Sequence, residues 1–131
     1  MKYIFVFVVH VLLSLSAFAQ QDTAQCLQFK TGVFAYRDDS SNAVLIRRTA
    51  NRQEETIKKS GITTKFKINW LSNCSYEIKQ VWSNSKARRK GNGTTTIVYI
   101  TRTGKDFYEY SCACKDLEKS NNSHGIVYRV P

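Results

Sequence analysis

From Cys26 to Val130 apolar residues recur at every second position, and short clusters of turn-forming residues separate the segments. The pattern predicts eight strands, over 27–36, 43–49, 52–58, 62–70, 74–82, 94–103, 106–114 and 125–130. It is plainest in 62–70, where Ile62, Thr64, Phe66, Ile68 and Trp70 fall on one face and Thr63, Lys65, Lys67 and Asn69 on the other. Ser72-Asn73 then turns the chain into 74–82, whose Tyr76, Ile78 and Trp82 form the matching apolar face of a hairpin. Ala50-Asn51, Ser60-Gly61, Gly91-Asn92-Gly93, Thr103-Gly104-Lys105, the run Asp38-Asp39-Ser40-Ser41-Asn42 and Asn121-Asn122-Ser123 supply the other turns. Most of these connections are too short for the crossover that a parallel pair needs, so neighbouring strands should run antiparallel. The expected fold is all-β, an up-and-down meander of about eight strands, closed as a barrel or left as a strongly curved sheet or sandwich. The one helical turn predicted is 115–120.

The chain has 131 residues, 42% hydrophobic and 12% aromatic, with Pro131 its one proline. That length allows one domain, and that composition excludes a disordered or collagen-like chain. Its start changes the compartment. Met1-Lys2 is followed by an apolar run from Tyr3 to Leu15, broken by His10 and Ser14, and then by the small-residue signature Ala17-Phe18-Ala19. This reads as a signal peptide over 1–19, with a mature domain over 20–131 that is secreted or periplasmic and has no transmembrane anchor. Cys26 lies too far beyond the run for lipidation. The formal charge of +10 becomes +9 on loss of Lys2, so the exported domain is strongly basic.

Cys26, Cys74, Cys112 and Cys114 all lie in the exported part, where an even number argues for two disulfides. On a strand Cys112 and Cys114 point to one face about 7 Å apart, too far to bridge comfortably. The preferred scheme therefore joins Cys26 and Cys74 to the Cys112/Cys114 pair. Cys26 with Cys74 is the rival. The C-x-C spacing does not suit zinc, and neither a metal nor a cofactor is expected.

The stretch Thr31-Gly32-Val33-Phe34-Ala35-Tyr36 resembles the G-x-aromatic opening of the calycins, the lipocalins and fatty-acid-binding proteins, and Val127-Tyr128-Arg129 looks like their closing arginine. The resemblance implies a ligand-binding barrel closed by Arg129 across Phe34. Phe34 replaces the usual lipocalin tryptophan, the second lipocalin motif is not evident, and the helical lid of fatty-acid-binding proteins is missing. With its leader, its C-x(2)-F-x-T-G-x-F start and its N-W-L-S-N-C-x-Y hairpin, the whole chain also looks like a class of small exported bacterial β-rich proteins of unknown function.

Candidate chemistry is sparse. His124 is the one histidine left after leader removal, and no nucleophile elbow accompanies it. Glu54, Glu55, Glu77 and Glu109 read as outward strand carboxylates balancing lysines, with Glu109 buried beside Arg102 or Arg129 if its face is interior. Lys86, Arg88, Arg89 and Lys90 form the densest charge, a loop suited to an anionic glycan or lipid head group, whereas export argues against nucleic acid as the natural partner. Further cations are scattered over Arg47, Arg48, Arg52, Lys58, Lys59, Lys65 and Lys67 as a diffuse basic surface. Trp70, Tyr76, Trp82 and Tyr99, with Phe107 and Tyr128, either line a cavity for a small apolar ligand or fill the core. The expected function is binding, not catalysis. An interaction module that pairs through its edge strands is the alternative, and a small hydrolase comes third.

Overall fold

A computed structural model describes residues 23–36, 43–113 and 123–131. The leader, Cys114 and the helical turn expected at 115–120 lie outside the described residues. Strands β1 (Gly32–Tyr36), β2 (Val44–Arg48), β3 (Arg52–Ile57), β4 (Thr63–Trp70), β5 (Ser75–Ser83), β6 (Thr95–Thr103), β7 (Phe107–Ala113) and β8 (Ser123–Arg129) form a closed antiparallel barrel in chain order. β8 returns to β1 with Phe34 opposite Arg129 and Tyr36 opposite Val127. Closure pairs both edges of the sheet, so a partner strand finds no free edge among the described strands.

The expected strand 27–36 is shorter than its pattern. The helical turn α1 (Thr23–Cys26) and a 3-10 turn (Leu27–Phe29) precede β1 and cover one end of the barrel. Cys26 and Phe29, three residues apart, face the interior, while Leu27 is exposed. Phe29 packs against Phe34 and Tyr108, with ring centroids 6.2 and 5.2 Å away. Ile46, Ile100 and Val127 complete this end of the core. A Cβ on Gly32, at φ +138°, would lie 2.7 Å from Arg129 Nη1 and 3.2 Å from the Phe34 ring, so the glycine lets the closing arginine lie close.

The plug is stapled by Cys26–Cys74, with an S–S distance of 2.04 Å and a Cα separation of 5.3 Å. This corrects the scheme that sent both cysteines to the Cys112/Cys114 pair. Cys74 lies in the β4–β5 turn beside the plug, whereas Cys112 stands near the far end of β7. A disulfide fits an oxidising compartment outside the cytoplasm. Among the described residues no helix is long and apolar enough to cross a membrane.

One register shift and plain alternation decide which aromatics face inwards. Lys65 pairs with Trp82 and Phe66 with Gln80, so Val81 is an extra residue on β5. The bulge reverses the alternation, burying Ser83 and leaving Trp82 44% exposed, with Lys65 Nζ 5.0 Å from its ring centroid. Trp82 is therefore not a cavity residue. Nor is Tyr99, which is 47% exposed because its neighbours Val98 and Ile100 take the interior. Trp70 and Tyr76 sit opposite each other in register, ring centroids 4.7 Å apart.

Candidate functional site

Alternation along β2 places Ile46 and Arg48 on the inward face, and both are buried. Arg48 is thus an interior cation and not part of the basic surface expected from sequence. All three nitrogens of its guanidinium donate hydrogen bonds. Nε donates to Gln53 Oε1 at 2.6 Å, Nη1 to the Phe29 carbonyl at 3.0 Å, and Nη2 to the hydroxyls of Tyr76 and Tyr108 at 3.0 and 2.7 Å. The rings of Phe34, Tyr76 and Tyr108 surround it, with centroids 4.9 to 5.5 Å from Cζ. Burial works against the charge, but the oxygens of Tyr76 and Tyr108 outweigh it, so Arg48 holds its proton more firmly than a free guanidinium.

Gln53 relays this contact onward, donating through Nε2 to Glu55 Oε1 at 2.7 Å. Gln53 and Glu55 share the inward parity of β3, while Glu54 points out to Lys65 at 3.7 Å. The outward assignment made from sequence holds for Glu54 and is corrected for Glu55. Glu55 reaches a cavity of ≈ 160 Å³ in the barrel interior. Its polar wall is Glu55, Gln53, Tyr36, Tyr76 and Tyr110, and its apolar wall is Phe66, Ile78 and Val98. Burial pushes the Glu55 carboxyl above the usual range, against the hydrogen bond from Gln53 and the charges of Arg48 and Arg88. Burial also pushes the phenols of Tyr36 and Tyr76 well up, and that of Tyr110 up, so all three present neutral hydroxyls at neutral pH.

The loop carrying Lys86, Arg88, Arg89 and Lys90 joins β5 to β6 and contains a second 3-10 turn, Arg88–Gly91. Gln80 Nε2 holds it, donating to the Arg88 carbonyl at 2.6 Å and to Asn92 Oδ1 at 3.0 Å. The charge of Arg88 is felt at Glu55, but Arg88 does not line the cavity; of the predicted ligand-binding residues only Tyr76 does. Lys86, Arg88, Arg89 and Lys90 are all exposed. Trp70 packs beside the cavity cluster with Lys30 Nζ 5.0 Å from its ring centroid, and its buried Nε1 has no hydrogen-bond partner among the described residues. Arg129 lies over Phe34 at 5.1 Å and Phe29 at 5.6 Å, and donates to the Gln28 carbonyl. Glu109 faces outwards to Arg102, and His124 is exposed on β8 in register with Ser111.

Glu55 makes stability depend on pH in a defined sense. Its folded pKa lies above the unfolded one, so the folded state binds the extra proton between the two values, and Glu55's contribution falls as pH rises through that window. Thermal unfolding from about pH 4 to pH 7 should therefore show wild type losing more stability than Glu55→Gln as pH rises. Parallel curves would place the carboxylate in an ordinary solvated setting.

Compared with family models, curated proteins and solved structures, the chain matches none.

Proposed function

We propose that this chain is an exported binding protein whose barrel holds a small hydrogen-bond-donating molecule, an amine or amide with a short apolar body. The observation that carries the reading is Glu55, which lines the cavity with Oε1 engaged by Gln53 and Oε2 accepting no hydrogen bond from the described residues. A ligand N–H would satisfy that oxygen, the hydroxyls of Tyr36 and Tyr110 would take the remaining polar atoms, and Phe66, Ile78 and Val98 would receive the apolar part. The volume of ≈ 160 Å³ lies below the ~300–1,000 Å³ of sites for drug-sized ligands, which favours a small occupant over a lipid. The wall chemistry likewise favours a polar ligand over the apolar one expected from sequence. The stack of Arg129 on Phe34 across the β1–β8 seam supports the calycin resemblance, and a closed barrel is compatible with a binding role.

Native mass spectrometry of the mature protein from an oxidising host tests the reading. The expected spectrum shows a small mass above the chain, lost on denaturation and absent from Thr96→Phe, which fills the cavity from the β6 residue in its lining, and from Glu55→Gln. A bare chain throughout, or an adduct indifferent to both substitutions, would remove the barrel as the binding site.

A further inference from the structure

We propose that the outer face of β3–β5 is a second binding surface, for a linear acidic polysaccharide, independent of the cavity. Arg52 lies directly opposite Lys67 on β4, and Lys67 directly opposite Lys79 on β5. All three side chains are exposed. Neighbouring strands lie about 4.8 Å apart, so three cations stand in one row within about 10 Å. The next row along these strands is Arg47, Glu54 and Lys65, where Glu54 is taken up by Lys65. The other carboxylate on this face, Glu77, sits opposite Asn69, outside the row.

Like charges directly across a strand pair repel and destabilise the sheet, and a bound polyanion reverses the sign of that interaction. The surface is also shaped. A groove of ≈ 640 Å³ crosses β1–β4 beside it, walled by Arg47, Arg52, Glu54, Lys65 and Lys67, with Val81 its one β5 residue, and Lys79 continues the row beyond its edge. The bulge that turns Val81 and Trp82 outwards thus sets an apolar strip beside the cations. Carboxylate or sulfate groups on a sugar chain would meet the row while the apolar faces of its rings meet that strip. A flat anionic bilayer does not enter a groove, and the phosphate ridge of a duplex offers nothing to the apolar strip.

The test uses the intact disulfide-bonded protein and heparin, a sulfated and uronate-bearing polysaccharide, as probe, titrated at several salt concentrations. Two triple variants each remove three positive charges: Arg52→Gln/Lys67→Gln/Lys79→Gln on the sheet and Arg88→Gln/Arg89→Gln/Lys90→Gln on the loop. The sheet variant should lose about ten-fold or more in affinity near 0.1 M salt and flatten the salt dependence, the loop variant less than about three-fold. The melting temperature of the sheet variant should stay at or above wild type, since it relieves repulsion. Should that variant not fold, the single Lys67→Gln is expected to weaken binding about three-fold and Lys67→Arg to retain it. Equal losses in the two triple variants would reduce the effect to net charge and overturn the proposal. So would absence of heparin binding, or duplex DNA or phosphatidylglycerol vesicles bound as tightly with the same dependence on the row.

Discussion

Arg48→Met is expected to lower the stability of the protein by about 3–5 kcal/mol, the cost of removing one member of a buried charged network and leaving the others in place. Methionine fills much of the space, so the loss is of hydrogen bonds, not volume. The Phe29 carbonyl, the Gln53 amide oxygen and the hydroxyls of Tyr76 and Tyr108 would each lose a charged donor in a site closed to water. For a domain of this size the melting temperature should fall by about 12 °C or more. Arg48→Lys should recover only part of this, because an ammonium cannot span four acceptors that a planar fork reaches at once. Adding Tyr108→Phe to Arg48→Met should cost little more, the hydroxyl having already lost its donor. Thermal unfolding of the series at neutral pH decides the matter. A methionine variant within about 4 °C of wild type would mean that the interior oxygens find other partners and that Arg48 does not organise the barrel.

How much of this was legible in the sequence follows from how far simple alternation carries. Along β4 it places Thr64 and Ile68 inside and Lys65 and Lys67 outside, because that strand has regular register over most of its length. The number and order of the strands follow from the same regularity and from the short turns. Alternation misplaces Trp82 because a bulge adds one residue, Val81, and no residue type announces it. It misses the plug because Cys26 and Phe29 keep a helical spacing next to a stretch of period two. Arg48 and Glu55 are a different failure. Ile46 and Arg48 share a parity, as do Gln53, Glu55 and Ile57, so the inward direction of both charges was written in the chain. The habit of reading charge as surface overrode it, and only the partners that the barrel supplies from four other segments make such burial affordable.

Removing the Cys26–Cys74 bond by Cys26→Ala/Cys74→Ala should produce a loss of similar size. The bond closes a loop with a sequence separation of 48, for which restriction of the unfolded chain gives about 4 kcal/mol, or a fall of about 16 °C or more in melting temperature. Its structural consequence is local. The plug keeps Phe29, the bond from Thr103 Oγ1 to Gln25 Oε1 and the bonds that Arg129 and Arg48 give to the Gln28 and Phe29 carbonyls as its ties, so hydrogen exchange should rise first in 23–31 and along the inner strands it covers. A loss below about 1 kcal/mol would show that the plug is held by its side chains alone. The guanidinium network and the disulfide-held plug are coupled through one hydrogen bond. Arg48 Nη1 donates to the carbonyl of Phe29, three residues beyond Cys26, so a released plug withdraws one of the acceptors that hold the guanidinium. Combining Arg48→Met with the double alanine variant should therefore cost less than the two losses added, by about 1 kcal/mol. Strict additivity would separate them, leaving the disulfide to constrain the unfolded chain and Arg48 to organise an interior indifferent to whether its end is covered.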